Sequence, residues 1–215
     1  MKEYKVIDQL NLIDGELKCK KPSGRSYQKA HFKQGDLDGA CGAYSVSMVL
    51  NILGVFEADE LHSDKVYDKR TTEWKLIQAL NEHGLYRDGL DYRSIQDLLT
   101  RNYPKFVTVQ CAEKSEHDII ELTRNWLDKN VPVILGIAYN SRDGHWIVAV
   151  GYALDENGKM SDILTLDPGN DSPKYSLWNG ILNANKEPRK KFGYHYCTNY
   201  AYMVDLEEAI IITSK

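Results

Sequence analysis

The sequence predicts an α+β protein in which a mainly helical part precedes an antiparallel sheet. Over roughly the first 130 residues, apolar side chains recur every three or four positions, as on one face of a helix. Beyond that point the period becomes two and β-branched residues are frequent, as in strands. We therefore expect a single domain over residues 1–215, with an irregular N-terminal arm (1–33), a mainly helical part (34–130) and a mainly antiparallel sheet (131–215).

Four segments combine helical spacing with a start or stop signal: residues 41–53, 71–84, 94–101 and 115–130. Gly54 is placed to end the first helix, and Thr71 or Thr72 can cap the second. Ser115 and the carboxylate three residues later resemble a capping box at the start of the fourth helix. The first of these helices puts Cys41 in or beside its first turn.

Strands are predicted where short β-branched runs lie between turn residues, over 105–111, 131–139, 145–154, 163–166, 200–204 and 209–213. Residues 140–144 and 155–159 are typical hairpin turns. The second turn should pair the strand at 145–154 with the strand at 163–166. In such a hairpin the start of one strand lies opposite the end of the other.

Composition excludes several classes of function. A formal net charge of −4 provides no basic field, so we expect neither nucleic acid nor an anionic membrane as the main partner. The first residues lack the apolar run of a secretory signal, and no run of about 18 apolar residues occurs. We therefore expect a cytoplasmic protein whose partner is a peptide, protein or small-molecule substrate.

The four cysteines are widely spaced and include no Cys-x-x-Cys pair, so reduced thiols are expected rather than a disulfide framework. Phosphate-binding glycine loops, dinucleotide fingerprints and His-Glu-x-x-His motifs are also absent from the sequence. We expect no cofactor and no metal.

Cys41 is the strongest candidate for a reactive residue. It lies between Gly39 and Gly42 at a predicted helix start, where unpaired amides and the helix dipole favour a thiolate. Gln34, seven residues earlier, could supply a second donor to an oxyanion beside the Cys41 amide. The competing interpretation is that Cys41 is a small buried residue in an Ala- and Gly-rich helix start.

His145 and Asp167 are the candidate partners of that thiol. His145 follows a hairpin glycine at a strand edge, and Asp167 follows the strand predicted to pair with it, so the two should be neighbours. An imidazole oriented by a carboxylate can take and return the proton of a thiol. Asn170 and Asp171 are alternative orienting groups. Five histidines are interpreted as solvated surface residues: His31, His62, His83, His117 and His195.

The set Gln34, Cys41-Gly42-Ala43, His145-Trp146 and Asp167-Pro168 resembles that of papain-like cysteine peptidases. The resemblance is greatest to the compact bacterial branch that includes the double-glycine leader peptidases of bacteriocin exporters. It implies a helical lobe bearing Cys41 and a sheet lobe bearing His145 and Asp167, with the site between them. It also implies that Cys41 is the nucleophile, His145 the general base and acid, and Asp167 the orienting residue, while Gln34 and the Cys41 amide form the oxyanion hole.

The function expected from this resemblance is hydrolysis of peptide or isopeptide bonds through a thioacyl intermediate. One alternative is a transamidase or acyltransferase, of the kind that a toxin or effector uses, in which an amine replaces water as the acceptor. Another is a catalytically silent module that binds peptides with the same fold. The sequence does not separate hydrolysis from acyl transfer, since exclusion of water from the cleft decides the acceptor.

Overall fold

The structure, a computed structural model, describes residues 2–35, 39–57, 70–82 and 89–215. Its helices are α1 (Cys41–Ile52), α2 (Thr72–Glu82), α3 (Tyr92–Asn102) and α4 (Ile119–Leu127). Its strands are β1 (Glu3–Val6), β2 (Asn11–Ile13), β3 (Glu16–Lys20), β4 (Tyr27–Lys29), β5 (Val107–Glu113), β6 (Val133–Ala138), β7 (Gly144–Leu154), β8 (Met160–Leu166), β9 (Gly180–Asn183), β10 (Tyr194–Cys197) and β11 (Ala201–Ser214). Helices and antiparallel sheets are thus both present, as the sequence predicts.

Eight strands form the main sheet, and every pairing within it is antiparallel. Six of them pair in a closed circuit in the order β7, β6, β11, β10, β9, β8 and back to β7. β1 adds to the far end of β7, and β5 adds to β11. A sheet that closes on itself has few exposed edges, which leaves strand ends as the places where functional side chains can face solvent.

β7 is the central strand, since it pairs with β6, β8 and β1 and also contacts α1 and α4. From Trp146 to Leu154 every residue is buried, as is all of β8. The clean alternation of buried and exposed positions expected for these strands is therefore wrong. β7 contacts α1 and α4 in addition to its paired strands, and consecutive buried positions show that both of its faces carry buried side chains.

The expectation of an irregular arm over residues 1–33 is wrong. β1 pairs with β7, from Glu3 opposite Leu154 to Val6 opposite Gly151. β2, β3 and β4 form a separate three-stranded sheet, in which a tight turn at Asp14-Gly15 joins β2 to β3; both turn residues have positive φ. These strands have only three to five residues each and are mostly polar, so any alternation in them is too short to be recognised from the sequence.

The four predicted helices are present among the described residues, with changes at their ends. α1 begins at Cys41 and is followed by Gly54 at a φ of +71°, which agrees with the predicted stop. α4 begins at Ile119 rather than at Ser115, because Asp118 caps it by accepting from the amides of Ile120 (3.0 Å) and Glu121 (3.1 Å). The predicted end of the second helix near Gly84 lies outside the described residues.

The last two predicted strands are one strand, β11. It runs from Ala201 to Ser214 with an irregularity in its pairing to β6 between Leu206 and Glu208. The acidic pair Glu207-Glu208 interrupts the apolar pattern in the sequence, although the strand continues through it as a bulge. Within the described residues, no helix has both the length and the apolar character needed to cross a membrane.

Candidate active site

Cys41 is the first residue of α1, as predicted. Ala40, the residue before it, offers no side-chain cap to the helix. The amides of the first turn therefore keep their capacity to donate toward the thiol, and the positive end of the helix dipole points the same way. The Gly42 amide is among the groups that lower the pKa of the Cys41 thiol.

The contact between Gly42 and Trp146 fixes how α1 meets β7. A Cβ on Gly42 would lie 3.1 Å from Cδ1 of Trp146, so any larger residue would push the indole back by a few tenths of an ångström. The Trp146 indole donates to the carbonyl of Leu90 (2.6 Å), and the Ser45 hydroxyl donates to the carbonyl of Trp146 (3.2 Å). Cys41 directly precedes Gly42, and His145 directly precedes Trp146. The contact between the glycine and the tryptophan therefore holds Cys41 and His145 close together.

His145 is the second residue of β7 and lies opposite Ile137 of β6. Its side chain is 12% exposed, and the ring of Tyr139 stacks against it with centroids 6.2 Å apart. The strand and the tyrosine together restrict rotation of the imidazole. The ring therefore keeps one orientation relative to the start of α1.

Asp167 directly follows β8, and the prediction that the β7–β8 hairpin brings it to His145 is confirmed. Oδ1 of Asp167 lies 2.7 Å from Nε2 of His145. Since a carboxylate only accepts hydrogen bonds, Nε2 carries a proton and Nδ1 is left to exchange one with the thiol of Cys41. The thiol, the imidazole and the carboxylate thus form a chain of interacting groups.

The Asp167 carboxylate is 2% exposed and is satisfied on both oxygens. Oδ1 also accepts from the Gly169 amide (2.7 Å), while Oδ2 accepts from the Tyr196 hydroxyl (2.7 Å) and the Asn170 amide (3.0 Å). Burial alone would raise the pKa of Asp167, but His145 and these donors hold it below its ordinary value. The carboxylate is therefore ionised at neutral pH.

The two alternative orienting groups do not contact His145. Asn170 instead donates to Asp167, as described above. Asp171 is exposed and pairs with Lys33 at 2.8 Å. Of the three candidates, the structure brings only Asp167 to the imidazole.

Cys41 and His145 shift each other's pKa in opposite directions. Burial favours the neutral thiol, but hydrogen bonding and attraction to His145 hold the pKa of Cys41 below its ordinary value. Burial also opposes charge on His145, yet Asp167 and Cys41 raise its pKa to about 9. Both shifts favour the thiolate–imidazolium form of the pair, which is the reactive form of a nucleophilic cysteine.

The other thiols provide a contrast within the same chain. Burial raises the pKa of Cys19 to about 12 and that of Cys111 to about 11. Cys197 is exposed on β10, and none of the four cysteines is in a disulfide. Reactivity is therefore expected at Cys41 because of its partner, since burial by itself has the opposite effect.

Gln34 and Cys41 line the same cavity, which has a volume of about 690 Å³. The Gln34 backbone amide donates to the carbonyl of Pro168 at 2.8 Å, which ties this residue to the segment after Asp167. Its side-chain Oε1 is buried and has no hydrogen-bond partner among the described residues. The structure thus brings Gln34 to the cavity of Cys41, as the sequence predicts.

Carboxylates dominate the charge of that cavity. Among the described residues, Asp91, Asp143, Glu207 and Glu208 line it together with one arginine, Arg142. Burial, followed by repulsion from Glu207 and other nearby carboxylates, raises the pKa of Glu208 to about 7. A negative cleft attracts cationic groups of a ligand and repels anionic ones.

Sequence reasoning missed three residues that surround Asp167. His31, interpreted as a surface residue, is fully buried and hydrogen-bonds the backbone of Asp167; Asn179 and Tyr196 also contact Asp167. Of the other four histidines, His117 and His195 are exposed as expected, while His62 and His83 lie outside the described residues. These contacts join residues more than ten positions apart and have no local sequence signal.

The described part of the chain offers no cluster of metal ligands. No group of three or more His, Cys, Asp or Glu side chains there is arranged to hold a metal ion. The groups around Cys41 are those of acid–base and nucleophilic chemistry.

Comparison with known proteins identifies the class of this protein. Residues 25–187, more than half of the chain, match the Peptidase_C39-like family. The chain belongs to this family. This membership agrees with the resemblance to papain-like cysteine peptidases that the sequence predicts.

One solved structure similar to this chain is that of UfSP from C. elegans, at 12% sequence identity and a TM-score of 0.46. The match covers 99% of this chain and 34% of that chain, so this chain spans about a third of the length of its structural neighbour. None of the curated proteins matches this chain.

The lowered pKa of Cys41 predicts that this cysteine is alkylated selectively. At pH 7, iodoacetamide should modify Cys41 at least about tenfold faster than Cys111, because the ionised fraction of each thiol sets its rate. His145→Ala should slow Cys41 and leave Cys111 unchanged. Mass spectrometry of the two cysteine-containing peptides measures both rates in one sample. Equal rates at Cys41 with and without His145 would contradict the ion pair.

Glu208 predicts a pH-dependent stability. Its pKa is raised on folding, so its contribution is neutral below about pH 4.5, turns unfavourable as pH rises, and is fully unfavourable above about pH 7. Glu208→Gln should therefore stabilise the protein at pH 8, by about 1 kcal/mol after allowance for solvent screening, and have little effect at pH 4.5. Urea unfolding at both pH values measures the difference, and an equal effect at both would contradict the shift.

Proposed function

We propose that the protein hydrolyses peptide or isopeptide bonds of polypeptide substrates, with Cys41 as the nucleophile. The observation that carries this proposal is the chain of contacts from the Cys41 thiol through His145 to the buried carboxylate of Asp167, beside a cavity. Membership of the Peptidase_C39-like family supports the same reaction class. A module that only bound peptides would need neither the thiolate nor the imidazolium.

In the proposed reaction the Cys41 thiolate attacks the carbonyl carbon of the scissile bond, and the carbonyl oxygen takes up negative charge. The C–N bond then breaks as the imidazolium of His145 gives its proton to the leaving amine. Water, deprotonated by the same imidazole, attacks the thioester and releases the acid and the thiolate. No cofactor takes part.

Asp167 and Gln34 have supporting roles in this proposal. Asp167 accepts from Nε2 of His145, so it fixes the tautomer and stabilises the imidazolium. Gln34 and the Cys41 amide are the donors proposed for the oxyanion, because both residues line the cavity at the nucleophile. The carboxylates of the cavity favour a substrate with basic rather than acidic side chains next to the scissile bond.

Peptidase activity is tested by the termini that it creates. A proteome incubated with the wild type should gain new amino termini, and the same proteome with Cys41→Ser should not. Terminal labelling followed by mass spectrometry identifies the cleaved bonds and any preference for flanking basic residues. The same samples distinguish acyl transfer, in which the leaving amine still gives a new amino terminus but the acyl part appears in a new amide cross-link and not as a new carboxyl terminus. Termini that arise equally with Cys41→Ser would contradict the proposal.

The roles of the supporting residues predict graded losses on the best peptide from that experiment. Asp167→Asn should lower kcat/KM by about 10²- to 10⁴-fold, since an amide cannot hold the charged imidazole. Gln34→Ala should lower kcat by about 10²-fold with a smaller effect on KM, as expected for an oxyanion donor. Asp171→Asn is the matched control, because Asp171 is exposed and pairs with Lys33. An equal loss in Asp171→Asn and Asp167→Asn would contradict the assignment.

A further inference from the structure

His31 is a buried histidine that the proposed reaction does not use. It lies between β4 and α1, three residues before Gln34, and has no exposed surface. Its Nε2 is 2.8 Å from the backbone carbonyl oxygen of Asp167, and its Nδ1 is 2.8 Å from the hydroxyl of Ser172. A buried imidazole with both nitrogens engaged is held in one position.

The acceptor at Asp167 fixes the tautomer of His31. A carbonyl oxygen only accepts hydrogen bonds, so Nε2 must carry the proton, and Nδ1 accepts from the Ser172 hydroxyl. Burial lowers the pKa of His31, which keeps the ring neutral in this arrangement. His31 is thus a fixed donor to the backbone of Asp167.

Asn179 contacts both the backbone amide and the backbone carbonyl of Asp167. Its Oδ1 accepts from the Asp167 amide (2.7 Å), and its Nδ2 donates to the Asp167 carbonyl (3.0 Å). Three donors therefore converge on this carbonyl oxygen, because the backbone amide of Asn170 also donates to it at 3.2 Å. The nitrogens of His31 and Asn179 lie 3.2 Å apart. Both lone pairs of this buried oxygen are used, so the direction of the Asp167 side chain is set by its backbone as well as by its own contacts.

The segment that carries His31 also carries the proposed oxyanion donor. Gln34 donates its backbone amide to the carbonyl of Pro168 (2.8 Å), one residue after the carbonyl that His31 contacts. Residues 31–34 are therefore joined to residues 167–168 by two hydrogen bonds. The bond from the His31 side chain to Asp167 is buried. The His31 ring keeps its place because both of its nitrogens are hydrogen-bonded.

We propose that His31 is a positioning residue that holds the Asp167 carboxylate and the Gln34 amide in a fixed relation across the active site. This inference rests on the proposed function, since it assigns His31 to the support of that site. His31 does not contact the thiol or the imidazole of the reacting pair. It holds Asp167, which raises the pKa of His145, and it anchors residues 31–34, which fixes the position of Gln34.

Loss of the His31 donor has a defined electrostatic consequence. When Asp167 is less well held, its hydrogen bond to His145 weakens, and the pKa of His145 falls from about 9. A less stable imidazolium in turn stabilises the Cys41 thiolate less, so the pKa of Cys41 rises. The pH range in which the ion pair exists therefore narrows from both sides.

The experiment is the pH profile of Cys41 alkylation, followed by mass spectrometry in wild type and variants. His31→Leu removes the donor at similar volume, and its acid-side midpoint should move up by about one pH unit, a tenfold change in thiolate fraction. His31→Gln places an amide donor near the position of Nε2 and should restore most of the profile, whereas the shorter His31→Asn should not. With a cleavable peptide, His31→Leu should lower kcat about tenfold and leave KM nearly unchanged.

His195→Gln is the control for loss of a histidine, because His195 is exposed and contacts Glu187 on another part of the surface. It should keep the wild-type profile. If His31→Leu does not fold, the comparison of His31→Gln with His31→Asn decides the question in its place. A wild-type profile in folded His31→Leu, or equal profiles in the Gln and Asn variants, would overturn the inference.

The two proposals fail in different ways. If wild-type Cys41 shows no acid-shifted alkylation that depends on His145, the proposed function fails, whatever His31 does. If the wild type shows that dependence and the His31 variants leave it unchanged, only the positioning role fails.

Discussion

The packing of α1 on β7 through Gly42 and Trp146 is the contact on which the active site depends. Because glycine has no side chain, the helix approaches the indole closely enough that the preceding residues, Cys41 and His145, meet. One end of this contact is a helix start with unpaired amides, and the other is a rigid strand buried on both faces. The reactive thiol thus gains its partner from packing of the core.

Burial of charge is the main energetic cost at this site. A carboxylate as deeply buried as that of Asp167 would be neutral without compensation, and four donors supply it: the imidazole, the Gly169 amide, Asn170 and Tyr196. The ionised carboxylate then allows the imidazole to be charged, and the charged imidazole allows the thiol to ionise. Each charge is stable only because the next one is present, so loss of one group should affect all three.

Elements formed by residues close together in the sequence could be predicted from local sequence patterns. The helix at Cys41 and the hairpin from His145 to Asp167 were predictable, since helical spacing, Gly54 and the turn at residues 155–159 are read within a few positions. The short strands of residues 3–29 were not, because each has only three to five residues and most of these are polar, and because β1 pairs with the distant strand β7. For the same reason β11 was read as two strands: its bulge at Glu207-Glu208 interrupts the pattern but not the pairing to β6 and β5.

The sequence alone was enough to predict the reaction class and the residues proposed to carry it. A thiol at a glycine-flanked helix start and a histidine and an aspartate at paired strand ends are each recognisable by type and spacing. Only the tertiary structure decided how these groups are supported. His31, Asn179 and Tyr196 come from separate elements and meet Asp167 only after the circuit of strands has closed. In the sequence, His31 is a lone histidine in a polar stretch and resembles a surface residue. Only the folded chain buries it against groups more than 100 positions away.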